Sequence, residues 1–288
     1  MSIQNFIPTL WAESMIREMD KAHKFVQDCV RDYEGQLKKM GDKVVIPMLT
    51  DPVIKTMALA DRNKEIEAPD FLSDTSIEVK ADHVKYFNFA VSDIDAVQSK
   101  YGAMDEAQRR AAQLLADEHD KLVASLVTGS DAAKLFDSTM KVVEGTATSG
   151  EINVLRLIDL AAQRLYENDV PDSEKIVATI PPALRTLIKS EYLDKSTSNE
   201  KMMANGYIGS YGGVMLRVSN NVHNGGTSGA PQHNIMVRTM DAVAFVEQLS
   251  EVKAYQPEKL FGDAVKGMSL FGAKIIRPKK LVVANITY

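Results

Sequence analysis

The chain has 288 residues, 45% of them hydrophobic, enough to bury one large core or two smaller ones. A formal net charge of -5 excludes a broad cationic face for gripping nucleic acid, and the single cysteine, Cys29, excludes an internal disulfide or a cysteine-based metal site and fits a reducing compartment. No apolar run reaches the roughly 20 residues that cross a bilayer, and no basic region followed by an apolar stretch opens the chain, so cytoplasm-like conditions are expected.

The first segment, FIPTLWAESMIREMDKAHKFVQDCVRDYEG, places Leu10, Met15, Met19, Ala22, Phe25, Val26, Cys29 and Val30 at roughly helical spacing, with Arg17, Glu18, Asp20, Lys21, Lys24 and Asp28 facing away. One or two helices ending near Gly35 are expected, docked on a neighbour or on their own domain. Trp11 is either an interface anchor or a local core plug. From Pro47 to Asp82 the chain has strand-forming ends, GDKVVIP and SIEVKAD, around the charge-mixed run DRNKEIEAPDFLSD, with no evident core of its own. A structureless stretch of that length is uncommon and usually functional. Paired as a hairpin, its ends would project an arm that needs a surface to lie on, most readily another subunit's.

VKYFNFAVSDIDAVQSKYG then reads as an aromatic-rich strand ending at Ser92 or Asp93, where Asp93 and Asp95 serve as caps rather than as a metal-binding pair. DEAQRRAAQLLADEHDKLVASLV (Asp105 to Val127) is the strongest helix, about 33 Å long at 1.5 Å per residue, with Ala107, Ala111, Leu114, Leu115, Leu122 and Leu126 on one stripe. His119 within it reads as a solvated helix-face histidine. Ser130 to Gly150 is loop-like. Asn153 caps NVLRLIDLAAQRLYEND, KIVATI is a buried strand, and Pro181 and Pro182 open the helix ALRTLIKSEYL. VMLRVSN, NIMVRT and LVVANI are further strands. FVEQLSEVKAYQPEKLF and DAVKGMSLFGAKIIRP would pair as an antiparallel ribbon beside the long helix, so the chain leaves one domain and returns to it. The alternation of strands and helices implies an α+β fold or an α/β layer with a central sheet.

Catalytic chemistry is poorly represented. GYIGSYGG (Gly206 to Gly213) lacks the GxGxxG order and a preceding apolar strand, so its glycines read as turn residues. There is no GxSxG, Walker lysine motif or HExxH, and His223 and His233 have no acidic cluster nearby to complete a zinc site. No catalytic, cofactor-binding or metal-binding residue is assigned.

Taken in order, DYEGQLKKMGDKVVIP, FNFAVSDID, LADEHDKLV, GYIGSYGGVMLRVSNNV and AFVEQLSEVKAYQPEKLFGDAVKGMSLFGAKIIRP resemble the major capsid protein of tailed bacteriophages with the Hong Kong 97-type fold, over nearly the whole chain. The resemblance implies an N-terminal arm (1–46), an extended loop (47–81), a peripheral domain (82–135 and 245–277) carrying the spine helix 105–127, and an axial domain (136–244 and 278–288) with a central sheet. It further implies a non-enzymatic subunit that builds hexamers and pentamers of itself, closing an icosahedral shell around packaged double-stranded DNA held by non-specific contact. A separate scaffolding protein, a portal and decoration proteins are the partners it suggests, with assembly in the host bacterial cytoplasm and residence in the virion. No large propeptide is expected, because the arm opens directly with FIPTLW. Lys55 or Lys64 formally matches the crosslinking lysine of one branch of the family, but no motif supports a covalent link. The candidate interface residues are Trp11, Lys55, Arg62, Lys64, Glu65, Glu67 and Asp70. An encapsulin-type nanocompartment shares the fold, and a soluble α+β enzyme binding a nucleotide at Gly206 to Gly213 is the reading outside it.

Overall fold

Alternating apolar side chains at both ends of the projecting stretch produce a two-stranded antiparallel ribbon. In the computed structural model, which describes residues 15–20, 22–33, 43–49, 54–57, 74–92, 103–129, 133–195, 209–227, 231–258 and 262–288, β1 (Lys43–Leu49) pairs with β2 (Asp74–Lys80) from Lys43 opposite Lys80 to Leu49 opposite Asp74. The two-residue period sends Val44, Ile46 and Val79 inward and leaves Val45 and Pro47 outside. Val44, Ile46, Val79 and Ala81 pack on Ala244, Val246, Leu270 and Ile276. At its base the stretch therefore lies on its own chain rather than on another subunit, because the pleat turns one face onto the body.

The surface beneath is a three-stranded sheet in which β13 (Gly262–Ile275) lies between β12 (Val243–Tyr255) and β3 (His83–Ser92), antiparallel to both. The expected ribbon is present, interrupted by a register shift between Leu249 and Glu251 that marks a bulge. Where the chain passes from β2 to β3 it crosses β13 so closely that a Cβ at Gly272 would stand 1.9 Å from the Lys80 carbonyl oxygen. Only glycine fits that crossing.

Helix α1 (Ala103–Ser125) lies against this sheet. Its buried face is Gln108, Ala112, Leu115, Ala116, His119, Asp120, Val123 and Ala124. The expected stripe is rotated, since Leu114 is 66% exposed and Leu122 and Leu126 are half-buried. The chain runs on through a tight turn at Leu126–Thr128. His119, expected in solvent, is fully buried, facing His23 and Ser269 from other elements.

A second, nine-stranded mixed sheet forms a separate layer. Its main path runs β6 (Glu151–Asn153), β5 (Met140–Val143), β14 (Leu281–Thr287), β11 (His233–Thr239), β7 (Ile176–Ile180), β9 (Val214–Val218) and β8 (Ser210–Tyr211), with β4 (Ala133–Lys134) on β14 and β10 (His223–Asn224) on β11. The loop-like reading of 130–150 is corrected by β4 and β5, which are too short for their alternation to show. All five residues of β7 are buried, as expected of an uninterrupted apolar run inside a sheet. Helix α2 (Val154–Glu167) begins at Asn153, whose side-chain oxygen accepts from the amides of Leu155 and Arg156. It packs Leu157, Ile158, Ala161 and Leu165 with Leu184 and Ile188 of α3 (Pro182–Lys195) over the sheet.

Candidate assembly elements

The N-terminal segment is fastened by polar groups from both sheets and from α1. It is helical over residues 15–20, so the expected helix ends well before Gly35, and Val26–Asp28 form a single tight turn. Asp120 of α1 explains the change of course: its carboxylate accepts the amides of Lys24 (2.7 Å), Phe25 (3.0 Å) and Val26 (3.1 Å). Burial raises the pKa of this carboxyl above its ordinary value, against the pull of those three donors. From the other side the buried Arg238 of β11 donates to the carbonyls of Phe25 and Asp28, and Arg217 of β9 grips the Asp28 carboxylate with Nε and Nη2, both at 3.0 Å. Val30 then joins the three-stranded sheet beside Ala244, its amide donating to the Val243 carbonyl at 2.9 Å and its own carbonyl accepting the Phe245 amide. Cys29 donates its thiol to the Phe25 carbonyl, and burial pushes the thiol pKa up, which makes it a packing residue.

The second element is the β1–β2 hairpin. Ile54 to Met57, within the connection between its strands, are exposed, Ile54 by 92% and Met57 by 45%, and Val45 on the stalk is 47% exposed. Lys55 lies among them. Trp11, Arg62, Lys64, Glu65, Glu67 and Asp70 lie outside the described residues. So do Asp93 and Asp95. A third apolar surface runs between β3 and α1, where Phe87, Phe89, Ala107, Ala111 and Leu114 line a cavity of about 530 Å³ and Tyr86 is 79% exposed.

Gly212 and Gly213 adopt positive φ (55° and 83°) in the tight turn between β8 and β9. They are turn glycines, as the sequence indicates. His223 and His233 are bonded separately, to Asn234 and to the Tyr288 hydroxyl. Among the described residues, one group of side chains has the spacing of metal ligands: His23, His119 and Glu247. Burial holds His23 down to about 4, aided by Arg31 and opposed by Asp20, and His119 down to about 3. No local motif marks this group, whose members come from three parts of the chain far apart in sequence.

Comparison with known proteins places this architecture. The profile of the family described as phage capsid protein matches residues 77–284, more than half of the chain. A solved chain from Mycobacterium phage Che8 is 25% identical, with a TM-score of 0.67 and 90% of each chain covered. The capsid structure of cyanophage P-SCSP1u (14% identity, TM-score 0.64, covering 92% of this chain and 86% of that one) shares the fold. So does the mature capsid of bacteriophage PhiM1 (16% identity, TM-score 0.59, covering 90% of this chain and 84% of that one). No curated protein sequence matches the chain. The chain belongs to the phage capsid protein family, with the Hong Kong 97-type fold: it is a structural subunit, the major capsid protein of a bacteriophage icosahedral shell.

Proposed function

We propose that the chain assembles as hexamers and pentamers in which the hairpin of one subunit lies on the body of the next, in the host bacterial cytoplasm, around double-stranded DNA held by non-specific contact. The carrying observation is the exposure of Ile54 and Met57 beyond a hairpin whose base is firmly packed: apolar side chains held out from the body gain most by burial on a neighbour. In this reading residues 1–46 are the arm, 47–81 the extended loop, 82–135 with 245–277 the peripheral domain, and 136–244 with 278–288 the axial domain. Trp11, Lys55, Arg62, Lys64, Glu65, Glu67 and Asp70 contribute contacts between subunits, without a covalent link. Each exposed ion pair would add only about 0–1 kcal/mol, so the shell is held by many modest contacts, which lets misplaced subunits leave before closure. A separate scaffolding protein, a portal and decoration proteins complete the particle.

Limited trypsin digestion tests the loop's role. Cleavage after Lys55 is expected to be fast in free subunits and slow in assembled shells; equal rates in the two states overturn the assignment of this loop to an interface.

A further inference from the structure

The buried contact of His23, His119 and Glu247 has the arrangement of a divalent-metal site. His23 Nε2 and His119 Nδ1 face each other at 3.4 Å, Glu247 Oε2 is 3.8 Å from His119 Nδ1, and the three candidate ligand atoms all lie within 4.8 Å of one another. Ligand atoms of a tetrahedral zinc site with bonds of about 2.0–2.1 Å stand about 3.3–3.4 Å apart. The two nitrogens already have that separation. A small movement of the Glu247 side chain, which is 10% exposed, would bring the carboxylate to it.

The protons of the surrounding network favour a cation over a simple hydrogen bond. Ser269 Oγ lies 3.1 Å from His119 Nε2 and 3.4 Å from Glu247 Oε1. With its hydroxyl donating to the carboxylate, Ser269 must accept from His119 Nε2–H, which leaves His119 Nδ1 as a bare lone pair directed at His23 Nε2 and Glu247 Oε2. His23 cannot answer this without loss. If its proton is on Nε2, its buried Nδ1 is an acceptor with no hydrogen-bond partner. If the proton is on Nδ1, it points toward Asp20 Oδ1 at 3.9 Å, and two nitrogen lone pairs and a carboxylate converge. A divalent cation among them removes the conflict, with Ser269 orienting His119 and Asp20 drawing the Nδ1 proton of His23, as partners of metal-bound imidazoles ordinarily do. Phe271 and Phe245, with ring centroids 4.2 Å and 5.5 Å from that of His119, wall the place from solvent.

We propose that His23, His119 and Glu247 form a structural site for a borderline divalent transition metal, of which Zn²⁺ is the best match to two imidazoles and one carboxylate, with a water completing the tetrahedron. The ion ties the N-terminal segment to α1 and β12, fastening the arm at the point where it meets the three-stranded sheet. This site is independent of how the hairpin contacts its neighbours.

The test is metal content and affinity of the full chain. Protein loaded with Zn²⁺ and dialysed is expected to retain one ion per subunit by elemental analysis, and Co²⁺ in its place is expected to give the intense visible absorption of a tetrahedral site. His23→Gln and Glu247→Gln are expected to lose the stoichiometric ion. Ser269→Ala, which removes only the orienting hydroxyl, is expected to weaken binding by about 10–100-fold. Chelation should lower the Tm of the wild type but not of Glu247→Gln. Wild-type protein that is folded yet retains no Zn²⁺ overturns the proposal, as does retention of wild-type stoichiometry and affinity by both glutamine variants.

Discussion

Arg217 and Asp28, 189 positions apart in sequence, are joined by two parallel hydrogen bonds of 3.0 Å, and the carboxylate they share is 98% hidden from solvent while the guanidinium is one-third exposed. The pair locks the turn at Val26–Asp28 to the nine-stranded sheet while Asp120 locks the same turn to α1, so the N-terminal segment bridges the two layers. Arg217→Leu leaves a buried carboxylate with its charge uncompensated. A loss of about 1.5–3 kcal/mol is expected, since hydrogen bonds to charged groups are worth that much, read as a lower Tm together with faster proteolysis at Lys24 and Arg31. The double variant with Asp28→Asn should recover part of the loss, because the stranded charge is gone.

Gly272→Ala places a methyl group 1.9 Å from the Lys80 carbonyl oxygen, where the backbone must move to make room. A destabilisation of at least about 3 kcal/mol is expected, the upper part of the overpacking range, and the foot of the hairpin should separate from β13. Gly225→Ala, whose added carbon would meet side-chain atoms at 3.7 Å and 3.8 Å, should fold and assemble as the parent does. Thermal unfolding of the two variants side by side checks the contrast.

Asn153→Ala removes the N-cap of α2 and two further hydrogen bonds, from its amide to the Gly145 carbonyl and to the buried Glu191 carboxylate. A cap alone is worth about 0.5–2 kcal/mol. The upper end is expected here, because the buried Glu191 carboxylate loses one of its donors. Asn153→Asp keeps the cap but sets two carboxylates together, so it should also destabilise.

Ile54→Asp and Met57→Asp put charge on apolar side chains that stand clear of their own body. The isolated subunit should keep its unfolding free energy within about 0.5 kcal/mol of the parent, as exposed substitutions ordinarily do, while the yield of shells falls. Unchanged shell yield with both substitutions present would remove residues 54–57 from the subunit interface.

The parts of this fold that were legible in the sequence are those whose burial follows a simple period. The run Ile176–Ile180, the two long strand-forming segments that pair as Val243–Tyr255 and Gly262–Ile275, and the Asn153 cap all state locally what they do. The buried face of α1 was not legible, because His119 and Asp120 are polar and their partners, His23 and the amides of Lys24 to Val26, arrive from about a hundred positions away. For the same reason the early end of the N-terminal helix was hidden: Phe25 and Val26 keep a helical spacing, but Asp120 and Arg238 take up their backbone groups in place of a further helical turn. Lys55 stands out in the sequence only as a formal match to a crosslinking lysine. Its neighbours Ile54 and Met57, just before the charge-mixed run, are exposed and carry the stronger argument for contact with another subunit.

Electron cryomicroscopy of the purified chain at high concentration, with and without a co-produced scaffolding protein, tests the central claim most directly. Closed icosahedral shells in which Ile54–Met57 of one subunit rest on the body of another are the expected result. A protein that stays monomeric in every condition, with Ile54–Met57 folded back on its own sheet, would contradict it.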